Sequence, residues 1–219
     1  MTQAAHRLRQ LGFIVVMVTG ALPAWAAPCA LPRVEELESL DPPPDPSWAP
    51  QEKWVWKQTL AGEVADFNDL YCERRVRLDP RAGNAVWRSR AQSEPRQLSE
   101  RFLLDVLTKP LFSDAIPTHG LQISGAWIDR NVDLSDIEFN RNLSLQWSRF
   151  EGKFSLAGAK LRGFLSFNNS AFMDLLDMAQ SDIARNLLVE HAKLADEFSL
   201  FNCTIGGILA SPRLRSTES

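Results

Sequence analysis

Few side chains in this 219-residue sequence have the types and spacing of a catalytic or metal site. Asp133, Asp136 and Glu138 lie close together, but alternating acids on a strand exterior usually only face solvent. No serine lies in a Gly-x-Ser-x-Gly pattern, no glycine-rich loop resembles a phosphate cradle, and no Cys-x-x-Cys pair indicates zinc. The sequence therefore predicts no enzyme, no cofactor and no metal site.

The composition is that of an ordinary globular chain. Apolar residues make up 45% and charged residues 23%, which excludes a disordered or collagen-like protein. The net charge of −3 gives no basic field that could hold nucleic acid, so we expect no nucleic-acid partner.

Residues 1–26 have the pattern of a secretory signal peptide. A short basic stretch at 6–9 precedes an apolar-rich run at 11–22, and small residues stand at 24 and 26. The run is shorter than the roughly 20 apolar residues that span a bilayer, although retention as an anchor is the alternative. We expect cleavage after Ala26, no membrane span after cleavage, and a periplasmic or secreted protein.

The three cysteines fit that compartment. Two of them can pair where the environment is oxidising, and Cys29 with Cys72 is the expected disulfide because both lie in the N-terminal part. Cys203 would then be free. Three free thiols are the alternative.

The N-terminal third predicts an arm followed by helices. Residues 27–50 form a Pro-rich arm, and residues 51–120 form a small helical capping region. Within that region we expect a helix over 51–60 and a second helix from an N-cap at Ser99 to Thr108. The charged segment 74–96 is expected to be irregular.

Four tryptophans are concentrated in the same third: Trp48, Trp54, Trp56 and Trp87. They could form a sugar-binding platform. The favoured interpretation is that they fill a small core or cap the neighbouring domain, because Trp commonly fills small cores.

Residues 121–208 divide without a gap into eight units of 11 residues. The first, third and eighth positions are large and apolar in all eight units. The second position is polar and the sixth is small in seven of the eight. Seven corner residues are expected to include positions of positive φ: Gly125, Asn131, Asn142, Gly152, Gly158, Gly163 and Gly206.

Strands explain this spacing better than a helix does. Repeats of 11 residues can form coiled coils, but position 3 would lie about 160° from position 1 on a helix. Apolar residues two apart are typical of strands, so each unit predicts two short strands. Two units then close a 22-residue coil. The sequence predicts a mainly β protein with a parallel β-helix of about four coils over 121–211 and a polar tail at 212–219.

Half of each unit resembles the pentapeptide repeat, in which a small residue, a polar residue and Leu precede two variable residues. The closest matches are 159–163 (AKLRG) and 192–196 (AKLAD). The other half departs from it, since Leu143 stands where that family has a small residue. The segment 54–68, followed by such repeats, also resembles uncharacterised bacterial proteins. The resemblance implies a right-handed, quadrilateral β-helix and no shared catalytic residues.

One row of side chains is the predicted binding strip. The fifth positions of alternate units should stack, which puts Trp147, Asn169 and His191 in an outward ladder with Trp127 nearby. The alternative, which is the favoured interpretation, is that these residues contact the N-terminal region.

The C-terminal end of the solenoid predicts an interaction. The strand edges and apolar interior at this end need a cover. The segment 212–219 is too short and too polar to supply it. We expect this end to bind another protein or a second copy, unless the chain is a shortened form of a longer one. The predicted function is a non-enzymatic periplasmic or secreted binding or scaffold module. The alternative is a carbohydrate-binding or carbohydrate-active envelope protein using the Trp-rich N-terminal region.

Overall fold

The computed structural model describes residues 31, 36–37, 39–71, 77–93, 95–194 and 197–211. The predicted signal peptide, both cysteines of the predicted disulfide (Cys29 and Cys72) and the polar tail lie outside these residues.

Short helices make up most of the N-terminal part. They are α1 (Pro50–Leu60), α2 (Phe67–Leu70), α3 (Asn84–Ser93), α4 (Glu100–Thr108) and α5 (Pro110–Ser113). The helices predicted over 51–60 and after Ser99 are confirmed, and the Ser99 hydroxyl accepts a hydrogen bond from Phe102 N at 3.1 Å. Helix α3 corrects the expectation that 74–96 is irregular. Its charged sequence has no apolar period.

Residues 121–210 form very short strands, and one further strand precedes them. In chain order the strands are β1 (Ala65–Asp66), β2 (Leu121–Ser124), β3 (Trp127–Ile128), β4 (Val132–Asp133), β5 (Glu138–Phe139), β6 (Leu143–Gln146), β7 (Arg149–Phe150), β8 (Phe154–Ser155), β9 (Lys160–Leu161), β10 (Leu165–Ser166), β11 (Ala171–Phe172), β12 (Leu176–Asp177), β13 (Asp182–Ile183), β14 (Leu187–Leu188), β15 (Lys193–Leu194), β16 (Phe198–Ser199), β17 (Thr204–Ile205) and β18 (Leu209–Ala210).

The strands stack into four parallel sheets that form the walls of a β-solenoid. Sheet 1 has the order β1-β2-β6-β10-β14-β18, sheet 2 is β3-β7-β11-β15, sheet 3 is β4-β8-β12-β16 and sheet 4 is β5-β9-β13-β17. In sheet 1, Leu121 lies opposite Leu143, which is followed by Leu165, Leu187 and Leu209. Partners are 22 residues apart, so the predicted coil of two units and the solenoid of about four turns are confirmed.

The three apolar columns of the repeat fill the interior. Twenty of these 24 side chains are buried. The other four are half-buried and all belong to the last coil: Leu194, Phe198, Leu200 and Ile205. In the middle of the stack, the Phe150 and Phe172 rings lie 4.3 Å apart and almost parallel. Burial of such side chains stabilises by about 1.5–3 kcal/mol each, so the first three coils supply most of this stabilisation.

The fifth position of every unit has a left-handed backbone. The φ angles run from 51° at Trp147 to 79° at Gly125, and the eight residues are Gly125, Asp136, Trp147, Gly158, Asn169, Gln180, His191 and Asn202. Gly, Asn and Asp, which adopt this conformation most readily, hold five of the eight places. The column therefore marks a corner that the fold needs.

The expected positive φ is confirmed at Gly125 and Gly158, but it is wrong at Asn131, Asn142, Gly152, Gly163 and Gly206. Asn142 accepts a hydrogen bond from Phe164 N of the next coil at 3.1 Å. A Cβ on Gly163 would lie 2.4 Å from the Arg141 carbonyl oxygen, so close approach of the backbones explains that glycine.

Serine at the sixth position forms hydrogen bonds with backbone groups of the corner. Ser148 Oγ accepts from Ala126 N at 3.2 Å and donates to the Gln146 carbonyl at 2.9 Å. Ser170 Oγ accepts from Ser148 N and donates to the Leu145 carbonyl. Because both hydroxyls are buried, these bonds remove the cost of placing them there.

Candidate functional site

The N-terminal region covers the first coil on two sheets by adding strand-like segments. In sheet 1, Ala65 of β1 lies opposite Ile123 of β2. In sheet 2, Gln97 forms a parallel bridge with Trp127. Trp127 N donates to the Arg96 carbonyl and accepts, through its own carbonyl, from Leu98 N, both at 2.9 Å. We call the described residues between 39 and 120 the cap.

Helix α4 covers the other two sheets. Glu100 Oε1 accepts from Asp133 N of β4 in sheet 3 at 3.0 Å, and α4 packs against β5 of sheet 4. Its residues Phe102 and Leu103 are fully buried. The cap therefore contacts the first-coil edge of all four sheets.

The four clustered tryptophans lie inside the cap. Trp48, Trp54, Trp56 and Trp87 are at most 6% exposed. Trp56 Nε1 donates to the Pro42 carbonyl at 2.9 Å, and Trp48 packs edge-on against Trp56. The core interpretation is confirmed. These rings do not form a platform on the surface.

A fully buried arginine fixes the cap to sheet 2. Arg149 points outward from β7, yet it has no exposed area, because residues 80–87 lie over it. Its guanidinium donates to the carbonyls of Pro80 and Ala82 at 2.7 and 3.0 Å and to Asn84 Oδ1. Its Nε donates to Glu151 at 2.9 Å. A buried charge is tolerated when hydrogen bonds surround it in this way.

The predicted strip is partly covered by the cap. Trp127 packs against Leu78 and Trp87, and the guanidinium of Arg77 lies 5.5 Å from the centre of the Trp147 ring. The two tryptophans therefore contact the N-terminal region, as the alternative interpretation predicted.

The other two residues of the strip lie further along the stack. Asn169 is half-buried and its backbone N donates to the Glu190 carbonyl. The exposed His191 accepts at its carbonyl from Arg81 at 3.5 Å. Although partial burial raises the pKa of Asp79, hydrogen bonds from Arg81 outweigh it and hold that pKa below its ordinary value. The Asp79 carboxylate thus stays charged and keeps Arg81 in place.

The C-terminal coil differs from the rest in its exposure. Leu209 is 43% exposed, whereas the four residues that precede it in the same column of sheet 1 have no exposed area. Phe201 and Ile208 are 68% and 65% exposed. We call β15–β18 together with Phe201 and Ile208 the open end. Within the described residues, each of these four strands pairs on one side only.

A pocket of about 350 Å³ lies where the cap meets sheet 1. We call it the junction pocket. Its polar lining includes Asp66, Asp69, Arg77, Ser124, Ser144 and Gln146. Asp66 Oδ2 lies 3.1 Å from Arg77 Nη2, and Gln146 Nε2 donates to Ser144 Oγ at 3.0 Å. Ser124 is 5% exposed and its hydroxyl has no hydrogen-bond partner.

Sequence reasoning missed this pocket and the Arg149 anchor. The pocket joins Asp66 and Arg77 to residues more than 40 positions later, and nothing in a local pattern connects them. The one available signal was ADFN at 65–68, where Asp66 accepts from Asn68 N as a helix N-cap does.

These features define a parallel β-solenoid of four walls with a helical N-terminal cap. Comparison of the chain with protein-family models, with curated proteins and with solved structures finds no match. Within the described ranges, no three potential metal ligands among His, Cys, Asp and Glu form a group. Among the same residues, no helix has both the length and the apolar character needed to cross a bilayer.

Proposed function

We propose that this protein is a non-enzymatic binding module that holds a partner protein at the open end of its solenoid. One observation carries the proposal. Leu209 and the half-buried Leu194, Phe198, Leu200 and Ile205 occupy columns that are fully buried in the preceding coils. In each earlier coil the equivalent surface is covered by the next coil. At the open end that surface is available to a partner.

The occupant that fits this surface is a chain with a free strand edge. A strand edge presents unpaired N–H and C=O groups and is a template for a further strand. Peptide recognition by strand addition uses such backbone bonds for affinity and side-chain contacts for specificity. Phe201, Ile208 and Leu209 supply exposed apolar side chains within nine residues of chain.

The exposed apolar residues of the cap do not form such a surface. Val64, Val86 and Leu111 are also more than half exposed, but they lie on three separate segments. Single exposed apolar residues are normal on a protein surface, whereas clustered ones indicate an interface.

We place the module in the periplasm or outside the cell, on the pattern of residues 1–26. We also propose that its coils are a degenerate form of the pentapeptide repeat. The fifth- and sixth-position corners and the small residues at 159 and 192 support this relation.

The proposal is tested by photo-crosslinking in cells that produce the protein naturally. A benzophenone amino acid replaces Phe201 in the full chain. The matched control carries it at Leu111, which is 63% exposed on α5. A third chain combines the label at 201 with Leu209→Lys, which changes an already exposed side chain.

We expect one discrete adduct with another protein from position 201, none from 111, and a much weaker adduct in the Leu209→Lys chain. A self-adduct alone would replace the partner by a second copy and contradict binding to a different protein. No adduct from 201, or the same adducts from 201 and 111, would overturn the proposal.

A further inference from the structure

The junction pocket holds a set of polar groups that are only partly paired with one another. Asp66 Oδ1 accepts from the backbone and side-chain nitrogens of Asn68, and Oδ2 pairs with Arg77. Gln146 uses its amide nitrogen on Ser144, and no hydrogen bond to its amide oxygen is found among the described residues. The Arg77 side chain is 47% exposed, so its remaining N–H groups are accessible.

The Ser124 hydroxyl is the second, independent sign of a ligand. It is 95% buried and lines the pocket without a hydrogen-bond partner. A buried hydroxyl without a partner is costly, and the cost is removed when a ligand group reaches it.

The charges and size of the pocket restrict the ligand class. Asp66 pairs with Arg77 at 3.1 Å and offsets its positive charge, which disfavours an anion such as phosphate. The carboxylate, amide, hydroxyl and guanidinium groups offer both donors and acceptors, which disfavours an apolar ligand. At about 350 Å³ the pocket lies at the lower end of small-molecule sites.

We propose that the junction pocket binds a neutral polyhydroxylated molecule of about the size of a monosaccharide. Hydroxyl groups of the ligand donate to the Gln146 amide oxygen and exchange a hydrogen bond with Ser124. They accept from the free N–H groups of Arg77. The site lies on the capped side of the solenoid, so it is independent of the function proposed for the open end.

Saturation-transfer NMR on the full chain tests this site. The probes are D-glucose, D-galactose, D-mannose and N-acetyl-D-glucosamine, with inorganic phosphate as the anionic comparison by phosphorus NMR. The variant is Ser124→Ala. Its matched control is Ser166→Ala, because Ser166 is also buried in sheet 1 with an unpaired hydroxyl but does not line the pocket.

We expect at least one of the sugars to receive saturation from the wild-type chain and from Ser166→Ala. In Ser124→Ala, loss of one hydrogen bond should weaken its binding by about tenfold. Both variants should unfold at the wild-type temperature or slightly above it, since each loses an unpaired buried hydroxyl.

Three results would overturn the assignment. They are no transfer to any sugar, equal binding by Ser124→Ala and the wild type, and binding of phosphate alone. None of them affects crosslinking from position 201, so failure of this site is distinguishable from failure of the open-end proposal.

Discussion

The two ends of the solenoid have the same repeat, but they differ in how far other residues cover them. Leu121 begins the first coil and is fully buried, whereas Leu209 stands in the same column of sheet 1 and is 43% exposed. The first has β1 of the cap on its outer side; the second has no further strand among the described residues. The position of a residue in the repeat thus determines whether its side chain points into the solenoid. The neighbouring strands determine how far that side chain is buried.

The ends also differ in the kind of interaction they use. The cap is joined to the coils by directed polar bonds. The fully buried Arg149 donates to the carbonyls of Pro80 and Ala82, and the Arg96 carbonyl accepts from Trp127 N at 2.9 Å. The open end displays mainly apolar side chains and strand edges. A cover that belongs to the same chain can be held by precise polar bonds. The open end, whose strands pair on one side only among the described residues, fits the proposed partner that adds strands.

The largest expected effect is a charge placed in the interior that both ends share. Ile183→Asp puts a carboxylate among fully buried side chains, so it should cost more than about 4 kcal/mol and abolish soluble folded protein. The next residue, Ala184, is exposed, so Ala184→Asp should leave yield and circular dichroism unchanged. Equal yields of the two variants would contradict the assigned register.

The next effect concerns the attachment of the cap. Arg149→Met leaves two carbonyls and Glu151 without their buried partner, and it should lower the free energy of unfolding by about 3–5 kcal/mol in urea titrations. In the control Arg162→Met, the lost partners are surface acids, and the loss should stay within about 1 kcal/mol. Similar losses for both would show that the segment over Arg149 is not anchored by it.

A third pair measures the difference between the ends directly. Leu165→Ala removes a fully buried side chain from sheet 1 and should cost about 2–5 kcal/mol. Leu209→Ala removes the same atoms from the same column at the open end and should cost under about 1.5 kcal/mol. If thermal unfolding gives equal losses, the open end is covered.

The smallest effect tests the left-handed corner that the coils share. Gln180 has a φ of 58°, so Gln180→Gly should relieve strain and stabilise by up to about 1 kcal/mol. Lys160→Gly, at an exposed position in strand β9, should destabilise by about 0.5–1 kcal/mol. Glycine loses more backbone conformational entropy on folding than other residues do. Shifts of the same sign in both variants would contradict the assignment of the corner.

The fold was predictable because its signal is long. Three apolar columns repeated over 88 residues indicate which side chains point into the solenoid. Two 11-residue units per coil then give the 22-residue register that pairs Leu121 with Leu143. The fifth column shows the limit of this reasoning. The sequence predicts an outward ladder that includes Trp147 and His191, but it does not show that the backbone at every member of the column is left-handed. Ligand binding by that ladder stays a prediction.

The site was less predictable because tertiary contacts make it. Strand β1 is two residues long, and no periodicity can show in so short a segment. Arginine is normally exposed, so the full burial of Arg149 follows only from where 80–84 lie. An interaction at the open end follows from the general rule that a solenoid needs capping, and it stays a prediction.

Hydrogen exchange resolved strand by strand tests the central claim, that the solenoid is closed at one end and open at the other. In the isolated full chain, amides of β2 and β6 should exchange only through global unfolding, while those of β17 and β18 should exchange much faster. In the complex crosslinked at position 201, β17 and β18 should become protected. Uniform protection of all coils in the isolated chain, or no change at β17 and β18 in the complex, would contradict the account.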